Sequence, residues 1–363
     1  MTAPRFLQGV RVIDLSQYIP GPFATRQLAD LGADVIKIEP PGGDPMRRFM
    51  HTDLETVSPI YRHLNRGKRI LQLDLKSDSG KSQFSELLGD ADILLESFRP
   101  GVLKRLGFDH DRIKLLNPKL IHCALSGYGQ TGPYQLRVGH DINYCAGSAM
   151  LQPESQQAKP VIGFPPVADH AAALQASVMM LAALNDRDRK QGVFIDISLF
   201  ETALSWAYLP LLADADQQAV EILSGGAACY NVYRCADDRY ISLGAIETSF
   251  WQNFCNALQQ PEWIERQFEP MPQAELIAAV SAKIVTQPIS YWSSLLDDIP
   301  CCFETVYLPE ELSGHPQIIA RHALNHAGPN YPGWIDGNPP GIDQDFEEMS
   351  TEGDCQWFET STV

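Results

Sequence analysis

Between residues 10 and 39 the chain spells one strand–helix–strand unit, and the recurrence of that grammar dictates the fold class. "VRVIDLS" is a short apolar strand. "PGPFATRQLADLG" is a helix with proline where it starts and Gly32 where it stops, and "ADVIKIE" is a second strand. The pattern repeats downstream. "RILQLDL", "ADILLES" and "KLIHCALSGYG" read as strands, with "GKSQFSELLGD", "GVLKRLG" and "DRIKLLN" as the helical pieces between them. Such alternation predicts an α/β fold built on an open, mostly parallel sheet. At 363 residues two domains are expected.

From about His170 to Leu184 a nearly wholly apolar, Ala-rich helix is expected, followed by "VFIDISLFETALSW" as a strand leading into a helix. The pattern loosens between about 210 and 228. "YNVYRCADDRYISLGAIE" then reads as a hairpin with an Ala-Asp-Asp turn, opening a smaller α+β unit. The boundaries predicted are a large domain over 1–200, a linker over 201–227, a small domain over 228–305, and a return segment with an acidic tail over 306–363.

Charge narrows the function. A net charge of −17 argues against a nucleic-acid partner, which needs a basic footprint. Eight Asp or Glu and no Lys or Arg fall between Asp336 and Val363, so a solvated, loosely structured end is expected. "RHLNRGKR" (62–69) is the opposite, a compact basic cluster that reads either as an anion site or as an ordinary solvated loop. No apolar run approaches the roughly 20 residues of a membrane span, and "MTAPRFLQGVRVIDLS" lacks signal-peptide character. A cytoplasmic protein is expected. The eight cysteines are scattered without a C-x-x-C, so neither a zinc nor a redox spacing is offered, and no metal is expected.

A nicotinamide enzyme is a weak reading. The turn after the first strand, "YIPGPFATRQ", has one glycine between two prolines and no G-x-G-x-x-G. Glu39 ends the second strand where a ribose-binding acid could stand, but Lys37 and the Pro-Pro that follows fit that role poorly.

Three residues could carry chemistry. Asp169 stands at the entrance of the Ala-rich helix. It is either an N-cap or an acid placed beside a row of free N–H groups that could hold an oxyanion. His140 in "GHDINY" is a structural residue, a metal ligand or a proton carrier. Glu247 caps the helix that follows or holds a histidine in one tautomer. Spacing alone does not bring the three together.

Ordered segments add a resemblance. "GVRVIDLSQYIPGPFATRQLADLGADVIKIEPPGGDPMR", "LNRGKRILQLDLK", "ADILLESFRPGVLKRLGF", "NPKLIHCALSGYGQTGPY", "GHDINY", "ADHAAA" and "HPQIIAR" resemble the family III CoA-transferase superfamily over about residues 8–330. "GHDINY", "GGAACYNVYRCADDRYISLGAIETSFW" and the Glu-bearing "GAIE" are most similar to its α-methylacyl-CoA racemase branch. The resemblance implies a large Rossmann-like domain, a small domain, long linkers and an interlocked homodimer whose active sites are shared between subunits. It implies an acyl-CoA substrate, with CoA as part of the substrate and no separate cofactor. His140 and Asp169 would carry protons on opposite faces of the α-carbon, and Glu247 would orient His140. CoA would lie along Lys37, the "QLDL" strand (Gln72, Leu73, Asp74, Leu75), Arg99 of "FRPG", and the backbone of Gly139, Asp141, Ile142, Asn143 and Tyr144. The basic cluster would attract its phosphates. The alternative on the same fold is an acyl-CoA:carboxylate CoA-transferase with Asp169 as nucleophile.

Overall fold

The computed structural model describes residues 5–53, 56–151, 160–186, 190–212, 220–326, 328–339, 344–350 and 357. The chain divides into two units, Met1–Trp206 with Pro316–Val363, and Ala207–His315. The smaller unit is therefore inserted in the larger. The stretch expected as a linker over 201–227 is partly folded into the larger unit, which runs on to Trp206.

In the larger unit the elements are β1 (Arg11–Leu15), α1 (Pro20–Asp30), β2 (Asp34–Glu39), α2 (Pro59–Asn65), β3 (Arg69–Gln72), α3 (Asp78–Asp90), β4 (Ile93–Glu96), α4 (Val102–Arg105), α5 (His110–Leu116), β5 (Ile121–Ser126), α6 (Asp141–Gly147), α7 (Val167–Asn185), β6 (Val193–Ser198) and α8 (Leu199–Trp206). These six strands pair in parallel in the order β3-β2-β1-β4-β5-β6. The expected open parallel sheet is what forms. Alternation along each strand feeds two cores. Val12, Val35, Ile93 and Ile121 face a core with Leu28, Ala172, Ala176 and Met180 of α1 and α7. Ile13, Ile36, Leu71 and Leu94 face another with Phe84, Leu88 and Ile113 of α3 and α5.

Helix α7 buries a small-residue face, Ala168, Ala172, Ala176 and Ser177, so that it lies close against α1, where Ser177 Oγ reaches the Ala24 carbonyl at 3.4 Å. Contrary to the expectation from sequence, this helix is long and apolar enough to cross a membrane by length and composition. Ala168, Ala172, Ala173 and Ala176 of this helix are buried in the first core, while Leu174, Val178 and Met179 are exposed.

Charge is also buried beneath the ends of the central strands. Lys68 Nζ lies 3.0 Å from Asp14 of β1, and Lys37 Nζ of β2 donates to the Ser16 carbonyl at 2.6 Å and pairs with Asp44 at 3.0 Å. Burial pushes the Asp14 carboxyl up, but Lys68, Lys37 and the hydroxyls of Ser16 and Thr25 more than reverse this and hold it well below the usual carboxylate range. Burial, with Lys37 nearby and opposed by Asp14, brings the Lys68 ammonium down to about 8.

The acidic end departs from expectation. Within its described part a seventh strand, Glu347–Glu348, pairs in parallel with β3, Glu347 opposite Arg69 and Glu348 opposite Ile70. Phe346 sits edge-on to Tyr61, Arg47 bridges to Glu348 at 2.8 Å, and Trp357 is buried against the core of Ile13 and Leu94. The aromatics and the Arg partners turn an acidic segment into an edge strand.

The smaller unit holds α9 (Tyr208–Leu212), β7 (Tyr230–Arg234), β8 (Tyr240–Gly244), α10 (Thr248–Ala257), α11 (Ala274–Ile284), α12 (Ile289–Leu296) and β9 (Phe303–Thr305). The expected hairpin forms from β7 and β8, and β9 adds a third antiparallel strand. Trp251, Phe254, Leu276, Val280 and Trp292 fill its core, and both indole N–H groups find carbonyls, of Trp263 at 3.0 Å and Ile284 at 2.9 Å.

Candidate active site

Chain order along the sheet reverses between β1 and β4, so the loops leaving their carboxyl ends part and leave a crevice, the usual place for a ligand in an open α/β sheet. The two loops stay tied at their base, where the Gln17 N–H donates to Ser97 Oγ at 3.0 Å. A cleft of about 530 Å³ opens there. The β1 loop contributes Gln17 and Tyr18, the β4 loop Ser97, Phe98 and Arg99, and the end of β5 Ser126 and Gly127. Gly139, His140, Asn143 and Tyr144 close it from the start of α6, and Asp169 from the start of α7.

His140 immediately precedes α6. Its backbone N–H donates to Asn143 Oδ1 at 3.0 Å, and the Tyr18 ring stands edge-on to the imidazole at 6.0 Å. Tyr144 Oη donates to the Gly139 carbonyl at 2.7 Å, pinning the approach to the histidine. A Cβ at Gly127 would stand 2.5 Å from that hydroxyl, so glycine is required there for the tyrosine to enter. Burial, followed by the charge of Asp169, pushes the Tyr144 phenol up to about 12, so it remains a donor at neutral pH.

Asp169 does not cap its helix. The helix begins at Val167, two residues earlier, and the Asp169 N–H is itself taken by Asp141 Oδ1 at 3.1 Å. Burial, then the negative charge of Asp141, pushes its carboxyl up to about 7. Near neutral pH this group can therefore both hold and release a proton, the property required of an acid–base residue.

The expected CoA contacts divide. Arg99 lines the cleft, exposed and with no ion pair among the described residues. Gly139, Asn143 and Tyr144 line it too, whereas Asp141 and Ile142 do not. Leu73, Asp74 and Leu75, just past the end of β3, line a second cleft of about 170 Å³ walled by Leu15, Ile38, Pro40, Pro41 and Phe98; it shares Gln17 and Phe98 with the first. Gln72 is exposed outside both. Lys37 requires a correction. It is fully buried, and its ammonium is engaged by Ser16 and Asp44, so it braces the β1 loop from below and offers nothing to a surface ligand.

The basic cluster is corrected in the same way. Arg62 pairs with Asp345, Arg66 with Asp30, Lys68 with Asp14 and Arg69 with Asp34, and three of the four are buried. These cations neutralise carboxylates of the fold instead of forming an anion site. Glu39, weighed above as a ribose-binding acid, is likewise buried, bonded to Tyr61 Oη at 2.6 Å and to Arg47 Nε at 2.6 Å. Glu247 lies on the smaller unit, exposed, directly before α10; its carbonyl accepts from Phe250 and Trp251, but its carboxylate takes no part in capping.

Sequence reading missed Gln17, Ser126 and Arg137, all of which line the main cleft. The position of Gln17, two residues beyond β1, was the available signal. Arg137, three residues before His140, stacks over the Tyr134 ring at 4.6 Å.

The model of CoA-transferase family III matches residues 7–336. The chain belongs to that family. It is 32% identical to an alpha-methylacyl-CoA racemase of Homo sapiens over 85% of this chain and 80% of that protein. It is 31% identical to a succinyl-CoA–D-citramalate CoA-transferase of Chloroflexus aurantiacus over 88% of this chain and 83% of that protein. Among solved structures, Rv3272 from M. tuberculosis matches with a TM-score of 0.82 at 25% identity, covering 98% of this chain and all of that one. CoA-transferase family III is a family of enzymes acting on acyl-CoA substrates. Racemase and transferase relatives stand at nearly equal identity, so the level of similarity does not choose between the two reactions.

Proposed function

We propose that the protein is an α-methylacyl-CoA racemase-like enzyme, epimerising the α-carbon of a 2-methylacyl-CoA thioester. The observation that carries this reading is that His140 and Asp169, from the starts of two different helices, line one cleft at the switch point of the sheet. The α-proton of a thioester is weakly acidic, so inversion needs a base on one side, a stabilised enolate oxygen, and an acid on the other. One of the two residues takes the proton as the C–H bond breaks; the other returns one to the opposite face of the enolate. The roles exchange for the other enantiomer. Arg99 and Arg137 supply local attraction for the phosphates of CoA in a protein whose net charge of −17 repels anions at long range. The smaller cleft beside Leu73–Leu75 takes part of the CoA moiety.

The test is proton exchange in heavy water. With a 2-methylacyl-CoA of one configuration, the expected result is uptake of one deuterium with loss of stereochemistry, read by mass spectrometry and by chiral analysis after hydrolysis. A second reading, transfer of CoA between carboxylates, is favoured by the similarity to transferase relatives. There the Asp169 carboxylate attacks the thioester carbonyl, CoA thiolate leaves, and a mixed anhydride forms. No exchange, together with CoA movement to a free acid and an Asp169 adduct trapped by hydroxylamine, would establish that reading instead.

A homodimer belongs to the same proposal. Opposite its buried alanines, α7 presents Leu174, Val178 and Met179 at 43%, 59% and 40% exposure, a continuous apolar face on a long helix. Val178→Arg is expected to shift the sedimenting species from dimer to monomer; a wild-type sedimentation coefficient in this variant would remove α7 from the interface.

A further inference from the structure

Asp141 adjoins His140 in sequence and Asp169 in space, yet its side chain is outside the lining of the cleft. Its two oxygens are used differently. Oδ1 accepts the backbone N–H of Asp169 at 3.1 Å, and Oδ2 receives Cys145 Sγ one turn further along α6 at 3.7 Å. The first contact spans 28 residues and joins the opening turns of two helices. One of those turns follows His140 directly, and the other contains Asp169. The donor that Asp141 occupies belongs to the first turn of α7, where N–H groups have no intrahelical partner, so the bond satisfies an otherwise orphaned group.

We propose that Asp141 is a positioning residue that clips the first turn of α7 to the first turn of α6, holding Asp169 and His140 as one rigid pair. The proposal rests on the reading of these two groups as proton carriers. A misplacement of the order of 1 Å between a reacting group and its substrate can cost about 10²-fold in rate, so a clip between the two carriers has a direct effect on turnover. The same carboxylate has a second consequence. Its negative charge, added to burial, raises the proton affinity of Asp169. The other groups around the acid are Tyr144 and Cys145 of α6, both electrostatically coupled to Asp169, with His140 and Arg99 lining the same cleft. Asp141 is the only one of these whose charge is a cause of the shift.

Three variants separate position from charge. Asp141→Asn keeps an acceptor for the Asp169 N–H and removes the charge. Asp141→Ala removes both, and Asp141→Glu keeps the charge. The titration of Asp169 is read directly by difference infrared spectroscopy, as the carboxyl band that Asp169→Asn deletes. The expected midpoint moves to lower pH in Asp141→Asn and stays near that of the unmodified protein in Asp141→Glu. In Asp141→Ala it moves down and α-proton exchange slows by about 10²-fold. An unmoved midpoint in Asp141→Asn, or unimpaired exchange in Asp141→Ala, overturns the proposal. If Asp141→Ala does not fold, the Asn and Glu variants carry the comparison. Should the unmodified protein show no exchange, the racemase reading fails, while the infrared midpoint still decides whether Asp141 acts on Asp169.

Discussion

Asp169→Asn is expected to lower α-proton exchange by about 10²–10⁴-fold, the usual worth of a positioned acid or base, and at the same time to make the protein more stable. The two effects share one cause. Burial and the neighbouring Asp141 raise the Asp169 carboxyl from 3.8 to about 7. In the folded state it therefore binds a proton through a pH window where the unfolded chain has already released it. Stability from this group is fully present below pH 4 and is lost as pH rises toward 7. Asparagine mimics the protonated form at every pH. The variant should match the parent near pH 4 and exceed it above pH 7 by on the order of 2–4 kcal/mol, measured by denaturant unfolding across that range. Activity should show the complementary dependence. Where Asp169 returns the proton, the rate falls as pH rises through about 7; where it takes the proton, the rate falls as pH drops through the same point. A stability difference constant with pH would mean that Asp169 is not a strained acid.

Lys68→Ala is expected to have the largest effect on the fold. Lys68 is fully buried and donates to Asp14, to the Pro22 carbonyl at 2.9 Å and to Asn65 Oδ1 at 3.0 Å. Removing it leaves Asp14 buried near the end of β1 with Lys37 as its remaining cation, and takes a donor from the Pro22 carbonyl and from Asn65 Oδ1. Breaking a buried pair from one side costs about 3–5 kcal/mol. A drop of that size in unfolding free energy is expected, with a lower midpoint in urea. Lys68→Ala, Asp14→Ala and the double variant should form a non-additive cycle, since either single change strands the other charge. Additive losses would show that the pair is not coupled.

These two residues mark where the sequence was legible and where it was not. The strand–helix alternation through "VRVIDLS", "ADVIKIE" and "ADILLES" depends on local periodicity, and it became the parallel sheet. His140 and Asp169 stand out by residue type and position, their pairing rests on motif resemblance, and both line one cleft, although no spacing rule could bring together groups 29 residues apart. Lys37 and the 62–69 cluster were misread, because a sequence displays charge without its partner. Lys68 meets Asp14 54 residues away and Arg69 meets Asp34 35 residues away, so their pairing is a product of strand order. The acidic end was misread for the same reason, its partners lying on β3 and α2. Gln17 was passed over because its significance comes from the reversal of strand order beside β1, a property of the whole sheet.

The seam between Glu347–Glu348 and β3 has a consequence during synthesis. The β3 strand emerges from the ribosome early, but among the described residues its outer edge at Arg69 and Ile70 is paired by residues made almost 280 positions later, after the whole inserted unit. Until then the nascent larger unit carries an open parallel edge, the kind of surface that recruits other chains. A stop codon after Pro339 would leave that edge bare permanently, with the site residues all present in a chain prone to stick to its own copies.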